Sequence, residues 1–158
     1  MTRRLACLLL LALAATTLAG CGGGKKQATL PTTSTPSVAQ STAAISQIRH
    51  NWATFFDGST SSADRIRLLE SGVKFKSLIE ALDSSSLTKQ VKAQVGRVKL
   101  TGPKTASVTY TVLLSGSPVL KNARGRAVLV QGTWKVGAAS FCALAKLEGV
   151  VPAGCVGK

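Results

Sequence analysis

Residues able to act as nucleophiles, bases or metal ligands are scarce in this chain, so their spacing matters more than their number. There is one histidine, His50. A base role asks for a carboxylate one helical turn away to orient the imidazole, and no acid stands three or four residues from it. Asp57 follows two phenylalanines and could meet His50 in a cavity as an isomerase-like pair. The plainer reading of Asp57 is a residue that organises the loop after a helix. Ser71–Lys74 and Ser86–Lys89 show the S-x-x-K spacing that sets a lysine one turn from a nucleophilic serine in penicillin-recognising enzymes. Neither is accompanied by S-D-N or K-T-G, and 158 residues are too few for that kind of enzyme. The sequence holds no G-x-S-x-G, no phosphate-binding glycine loop and no metal-ligand cluster. The expectation is no enzyme, no metal and no cofactor.

The four cysteines divide by context. Cys7 lies in an apolar run, Leu5 to Leu18, behind the basic pair Arg3 and Arg4. At about 1.5 Å per residue that run covers roughly 21 Å, short of the ~30 Å hydrocarbon core. A signal peptide over residues 1–20 fits, and a spanning helix does not. Leu18-Ala19-Gly20-Cys21 follows: an apolar residue, two small ones and a cysteine, similar to the bacterial lipobox. The pattern predicts cleavage before Cys21 and a diacylglycerol on its thiol. Two acyl chains hold a protein stably at a bilayer where one is marginal. The expected location is the extracytoplasmic face of the cell membrane. In an exported domain, Cys142 and Cys155, about a dozen residues apart, read as a disulfide worth ~3 kcal/mol by loop closure.

The charge is strongly one-sided, with 20 Lys and Arg against 6 Asp and Glu. Removing residues 1–20 takes away Arg3 and Arg4 and leaves +12. Such a surplus attracts polyanions. Export and a total of seven aromatic residues argue against nucleic acid, leaving anionic lipid, a cell-wall polymer or a partner protein. Lys121, Arg124 and Arg126 cluster in "LKNARGR", with the two arginines on one strand face. Lys89, Lys92, Arg97 and Lys99 line a second segment. Charge that protects a strand edge is the plainer reading, and a binding surface the sharper one.

The elements that would position these residues read as one domain, residues 43–158, behind a Ser/Thr/Pro/Gly tether over residues 21–42. The tether shows no apolar periodicity and spans roughly 25 Å as a coil. Ile45, Ile48, Trp52, Phe55 and Phe56 form a helical stripe that should end at "FFDGSTSS", with Gly58 near the C-cap. Ser61 stands three before Asp64, a capping-box spacing that opens a second helix through Leu68 and Leu69. Gly72 interrupts, and Phe75, Leu78, Ile79 and Leu82 predict a third. The period then changes from helical to alternating. Val91, Ala93 and Val95 alternate, as do Val98 and Leu100, with Gly96 marking a bulge. Residues 106–114 alternate throughout, and 122–131 and 133–139 predict two more strands. Helices followed by strands give an α+β class, with N-terminal helices on one face of an antiparallel sheet of about four strands.

Trp52, Phe55-Phe56-Asp57-Gly58, Leu68-Leu69, Trp134, Phe141-Cys142 and the stretch Pro152 to Cys155 together resemble the actinobacterial low-molecular-weight antigen family. These are small secreted or lipid-anchored mycobacterial-type proteins, and the resemblance covers residues 43–155. It implies a curved, cone-like sheet similar to nuclear transport factor 2 domains and supports the Cys142–Cys155 bridge. It supplies no catalytic residues. It also implies an alternative function, a carrier holding a small hydrophobic molecule among Trp52, Phe55, Phe56 and Tyr110. The leading expectation is a membrane-anchored, non-enzymatic binding module, followed by the carrier and, more distantly, an isomerase using Asp57 and His50.

Overall fold

The computed structural model describes residues 38–147, 149 and 151–155. The expected signal peptide, Cys21 and most of the tether lie outside the described residues. The first helix, α1 (Val38–Phe56), uses the apolar stripe as anticipated: Ile48, Trp52 and Phe55 are buried. It begins earlier than the pattern suggested, inside the segment read as tether. Val38 is 84% exposed, and the first α1 side chain packed on the core is Ala44. Its opening turns therefore place no apolar side chain on the core, and periodicity cannot reveal them. No helix among the described residues is long and apolar enough to cross a membrane.

Helix α2 (Ser62–Leu68) starts as its capping spacing requires, with the Ser61 hydroxyl accepting from the Asp64 N–H. A 3-10 turn at Gly72–Phe75 leads into α3 (Lys76–Asp83). Gly58 ends α1 for a reason other than a left-handed cap. A Cβ there would stand 2.4 Å from backbone atoms of Thr88 and Lys89, so only glycine lets the two segments touch.

The sheet is an antiparallel meander in the order β1-β2-β3-β4. Its strands are β1 (Val91–Gly102), β2 (Thr105–Leu114), β3 (Ser117–Val130) and β4 (Thr133–Val136). The register between β1 and β2 shifts between Val95 and Val98, the bulge expected at Gly96. Strand β4 is shorter than expected. The chain leaves the sheet at Gly137 and forms α4 (Ala138–Leu147), an Ala-rich helix that the strand reading of 133–139 missed. Its first turn is fixed from a distance, because Glu70 Oε2 accepts from the Ala138 N–H at 2.9 Å. Cys142 on α4 is bridged to Cys155, with Cα atoms 5.6 Å apart.

The sheet curls so that α1 meets both edge strands. Along β1, Arg49 Nη1 donates to the Val95 carbonyl at 3.0 Å and the Gly58 N–H donates to the Val91 carbonyl at 2.9 Å. Along β4, Asn51 Nδ2 donates to the Trp134 carbonyl at 2.7 Å, while the Trp134 N–H reaches Gln47 Oε1. Unpaired edge groups invite pairing with another chain, and here one helix satisfies several of them. Between the edges Trp52 packs against β3, where a Cβ on Gly125 would stand 2.6 Å from the indole ring. Gly125→Ala should therefore cost ~1–3 kcal/mol through overpacking. The check is urea unfolding: a lowered midpoint with unchanged slope is expected, and an unmoved midpoint would mean that the ring has room to spare.

Candidate functional site

The interior comes first, because a carrier needs space there. Trp52, Phe55 and Tyr110 are buried, and Phe56 is half-buried against the core. The rings fill the space with one another. Tyr110 lies 5.2 Å from Trp52 and 5.4 Å from Phe56, and Phe55 lies 5.1 Å from Phe56. Phe55 continues to Phe141 at 6.0 Å, and Phe141 to Phe75 at 5.1 Å. Aromatic pairs at these separations are packed core. The four residues expected to line a cavity therefore pack against one another. Burial pushes the Tyr110 hydroxyl up to about 12, so it stays neutral at physiological pH.

A cleft of about 460 Å³ opens at the surface instead, lined by His50, Thr54, Asp57, Ser59, Thr60 and Lys92 with Ala53 and Ala93. His50 and Asp57 are two helical turns apart, so both reach it, as the isomerase-like reading requires. The state of the carboxylate argues the other way. Asp57 Oδ1 accepts from the Ser59 N–H at 2.9 Å and the Ser59 hydroxyl at 2.6 Å. These two bonds outweigh the opposing effect of burial, with lesser help from Lys92 and Arg65, and hold its carboxyl below the usual carboxylate range. Such a group is a weak proton acceptor at neutral pH. Asp57 organises the loop, as its plainer reading supposed.

That loop is clamped by a residue the sequence did not single out. Arg65 is 6% exposed, with Nη1 on Asp83 Oδ1 at 2.8 Å and Nη2 on the Asp57 carbonyl at 2.8 Å. The Ser62 hydroxyl also bonds Asp83, while Arg65 Nε has no partner among the described residues. The signal for Arg65 was weak: its helix is only seven residues long, and a basic residue near its C-terminus reads as solvated. In the two S-x-x-K matches, Ser71 and Lys74 share a turn hydrogen bond between backbone groups, and Lys74, Ser86 and Lys89 are exposed. Among the described residues no group of three or more His, Cys, Asp and Glu is placed to hold a metal ion.

The outer face of the sheet carries the charge. Lys99, Ser107 and Arg126 stand in one cross-strand row, and Thr109 pairs with Arg124 in the next. Both arginines and Lys99 are exposed. Lys121, also exposed, stands with Asn122 in the row after that. Lys121 and Asn122 stand together opposite Thr111 as a bulge, with Asn122 at φ 54°. From Val91 to Val136 the chain holds eight cations (Lys92, Arg97, Lys99, Lys104, Lys121, Arg124, Arg126 and Lys135) and no acid. The acid-free stretch runs from residue 84 to 147. It is the signal that separates a charged face from scattered charges. The ion pairs among the described residues, Arg65–Asp83, Arg67–Asp64 and Lys76–Glu80, all lie in the helical half.

Asp83→Asn removes the charge that compensates buried Arg65 and should cost about 3 kcal/mol. Thermal unfolding checks this; a stability equal to that of the unsubstituted chain would show that Arg65 needs no counter-charge.

No curated protein and no solved structure matches the chain. A family model, that of the low molecular weight antigen MTB12 C-terminal domain, matches residues 40–151. The match runs from the first turn of α1 through all four strands and α4, taking in Trp52, the Asp57 loop and the cationic face. The chain belongs to the low molecular weight antigen MTB12 C-terminal domain family.

Proposed function

We propose that this is an exported, membrane-tethered, non-catalytic domain that binds an anionic component of the cell envelope through the outer face of its sheet. The observation that carries the reading is the row of Lys99 and Arg126 flanking Ser107, with Arg124 across from Thr109, on a sheet without a carboxylate. Cations on one side of a rigid sheet, interleaved with hydroxyl donors, suit phosphate or carboxylate groups repeated along a surface. Two sources share that chemistry, lipid headgroups and wall polymers. The lipobox-like Leu18-Ala19-Gly20-Cys21 supports tethering by a diacylglyceryl group at the extracytoplasmic face. The packed aromatic interior and the pinned Asp57 favour surface binding over a carrier or an enzyme.

The test is Arg124→Gln with Arg126→Gln, measured on vesicles of anionic lipid and separately on isolated wall polymer. At ~1 kcal/mol per cation near an anionic surface, binding should fall about 30-fold on whichever support is the partner. It should also weaken as salt is raised. Retention that ignores both the substitutions and the salt on both supports would overturn the reading.

A further inference from the structure

The far end of the β2–β3 hairpin carries apolar side chains that the core does not use. Strand β2 ends in Leu113-Leu114, Ser115 and Gly116 turn with φ of 52° and 81°, and β3 begins Ser117-Pro118-Val119-Leu120. Leu113 pairs with Pro118 and Val112 with Leu120, so Val119 is an extra residue bulged out of the ladder and is 60% exposed. Leu87, also 60% exposed, is tied to this tip by backbone hydrogen bonds. The Gln90 N–H donates to the Leu87 carbonyl, and the Ser115 N–H donates to the Gln90 carbonyl, both at 3.0 Å. Leu113 and Leu120 are only half-buried and lie outside the core cluster. Lys121 directly follows Leu120, and Lys89 directly precedes Gln90, both exposed.

Aliphatic side chains at the end of a hairpin with lysines just behind them match the two layers of a lipid interface. The aliphatics reach the acyl boundary while the ammonium groups stay among anionic headgroups. A second copy of this chain is a poorer occupant. A two-fold contact through the tip would bring Lys89 and Lys121 against the same residues of the other copy, with no acid on the sheet to separate them. We propose that the β2–β3 tip, with Leu87 beside it, inserts into the interfacial region of an anionic lipid bilayer. This deepens the proposed function by naming the bilayer as one surface the domain meets. It requires neither Arg124 and Arg126 nor the acyl group on Cys21.

The experiment uses the full chain carrying Val119→Trp, with vesicles of phosphatidylglycerol and phosphatidylcholine that include brominated acyl chains. Trp52 and Trp134 are buried, so the introduced indole is read against a constant background. The expected result is emission shifted to shorter wavelength and quenching by brominated lipid several-fold above the unsubstituted chain. The effect should fall several-fold on phosphatidylcholine alone. Leu87→Trp should respond in the same way, which guards against a local defect at either site. Water-like emission without quenching in both variants overturns the proposal. A blue shift that grows with protein concentration in the absence of vesicles also overturns it, assigning the tip to a second copy. Adding Arg124→Gln and Arg126→Gln separates the two readings. Quenching of the tip that survives these changes supports insertion independent of the sheet face, and quenching abolished by them overturns that independence.

Discussion

A tryptophan resting on bare backbone is the contact from which the rest of this structure follows. Trp52 is 1% exposed and lies against Gly125 in β3, a position where any Cβ would collide with the indole. That approach lets α1 sink into the curved sheet far enough for Gln47, Arg49 and Asn51 to reach the strand edges on either side. An open four-stranded sheet has two such edges, and one helix attends to both. The indole N–H has no partner among the described residues, a cost of ~1–3 kcal/mol for a buried donor. Shape and apolar burial, rather than a hydrogen bond, hold the residue in place.

Filling the concave side has a consequence for function. The aromatic series from Tyr110 through Trp52, Phe56 and Phe55 to Phe141 and Phe75 leaves the outside of the sheet as the broad surface with a distinct chemistry. The bulges shape that surface. The shift between Val95 and Val98 re-phases β1, so that Lys92 and Lys99, an odd number of residues apart, both point outward. The bulge at Lys121 and Asn122 divides β3 into a cationic stretch with Arg124 and Arg126 and an apolar tip with Val119 and Leu120. One strand therefore presents two chemistries, separated by a change of register.

Much of the architecture was legible in the residues because it rests on local rules. The α1 stripe, the Ser61 cap, the alternation of β2, the Gly96 bulge and the Cys142–Cys155 pair each span no more than about a dozen residues of chain. What escaped depends on contacts distant in sequence. Helix α4 is started by Glu70, 68 residues away, and its apolar "AASFCALAKL" suits a buried strand as well as a helix. Gly58 is required by Thr88 and Lys89, not by its own turn. The candidate face was half legible. Arg124 and Arg126 were placed together correctly, Lys121 stands opposite Thr111 in a bulge that no glycine announced, and Lys99 joins through Ser107. The four aromatics were correctly brought together, since the α1 stripe and the inward alternation of β2 face one another.

The central claim is that the domain binds with its outer sheet face while its interior is closed. The most direct measurement is nuclear magnetic resonance of the isotope-labelled protein during titration with a soluble anionic lipid assembly or polymer. Amide shifts should move at Lys99, Ser107, Thr109, Arg124 and Arg126, while the indole resonances of Trp52 and Trp134 stay still. Shifts centred on Trp52, Phe56 and Tyr110 with a quiet sheet face would contradict the account and return the ligand to the interior.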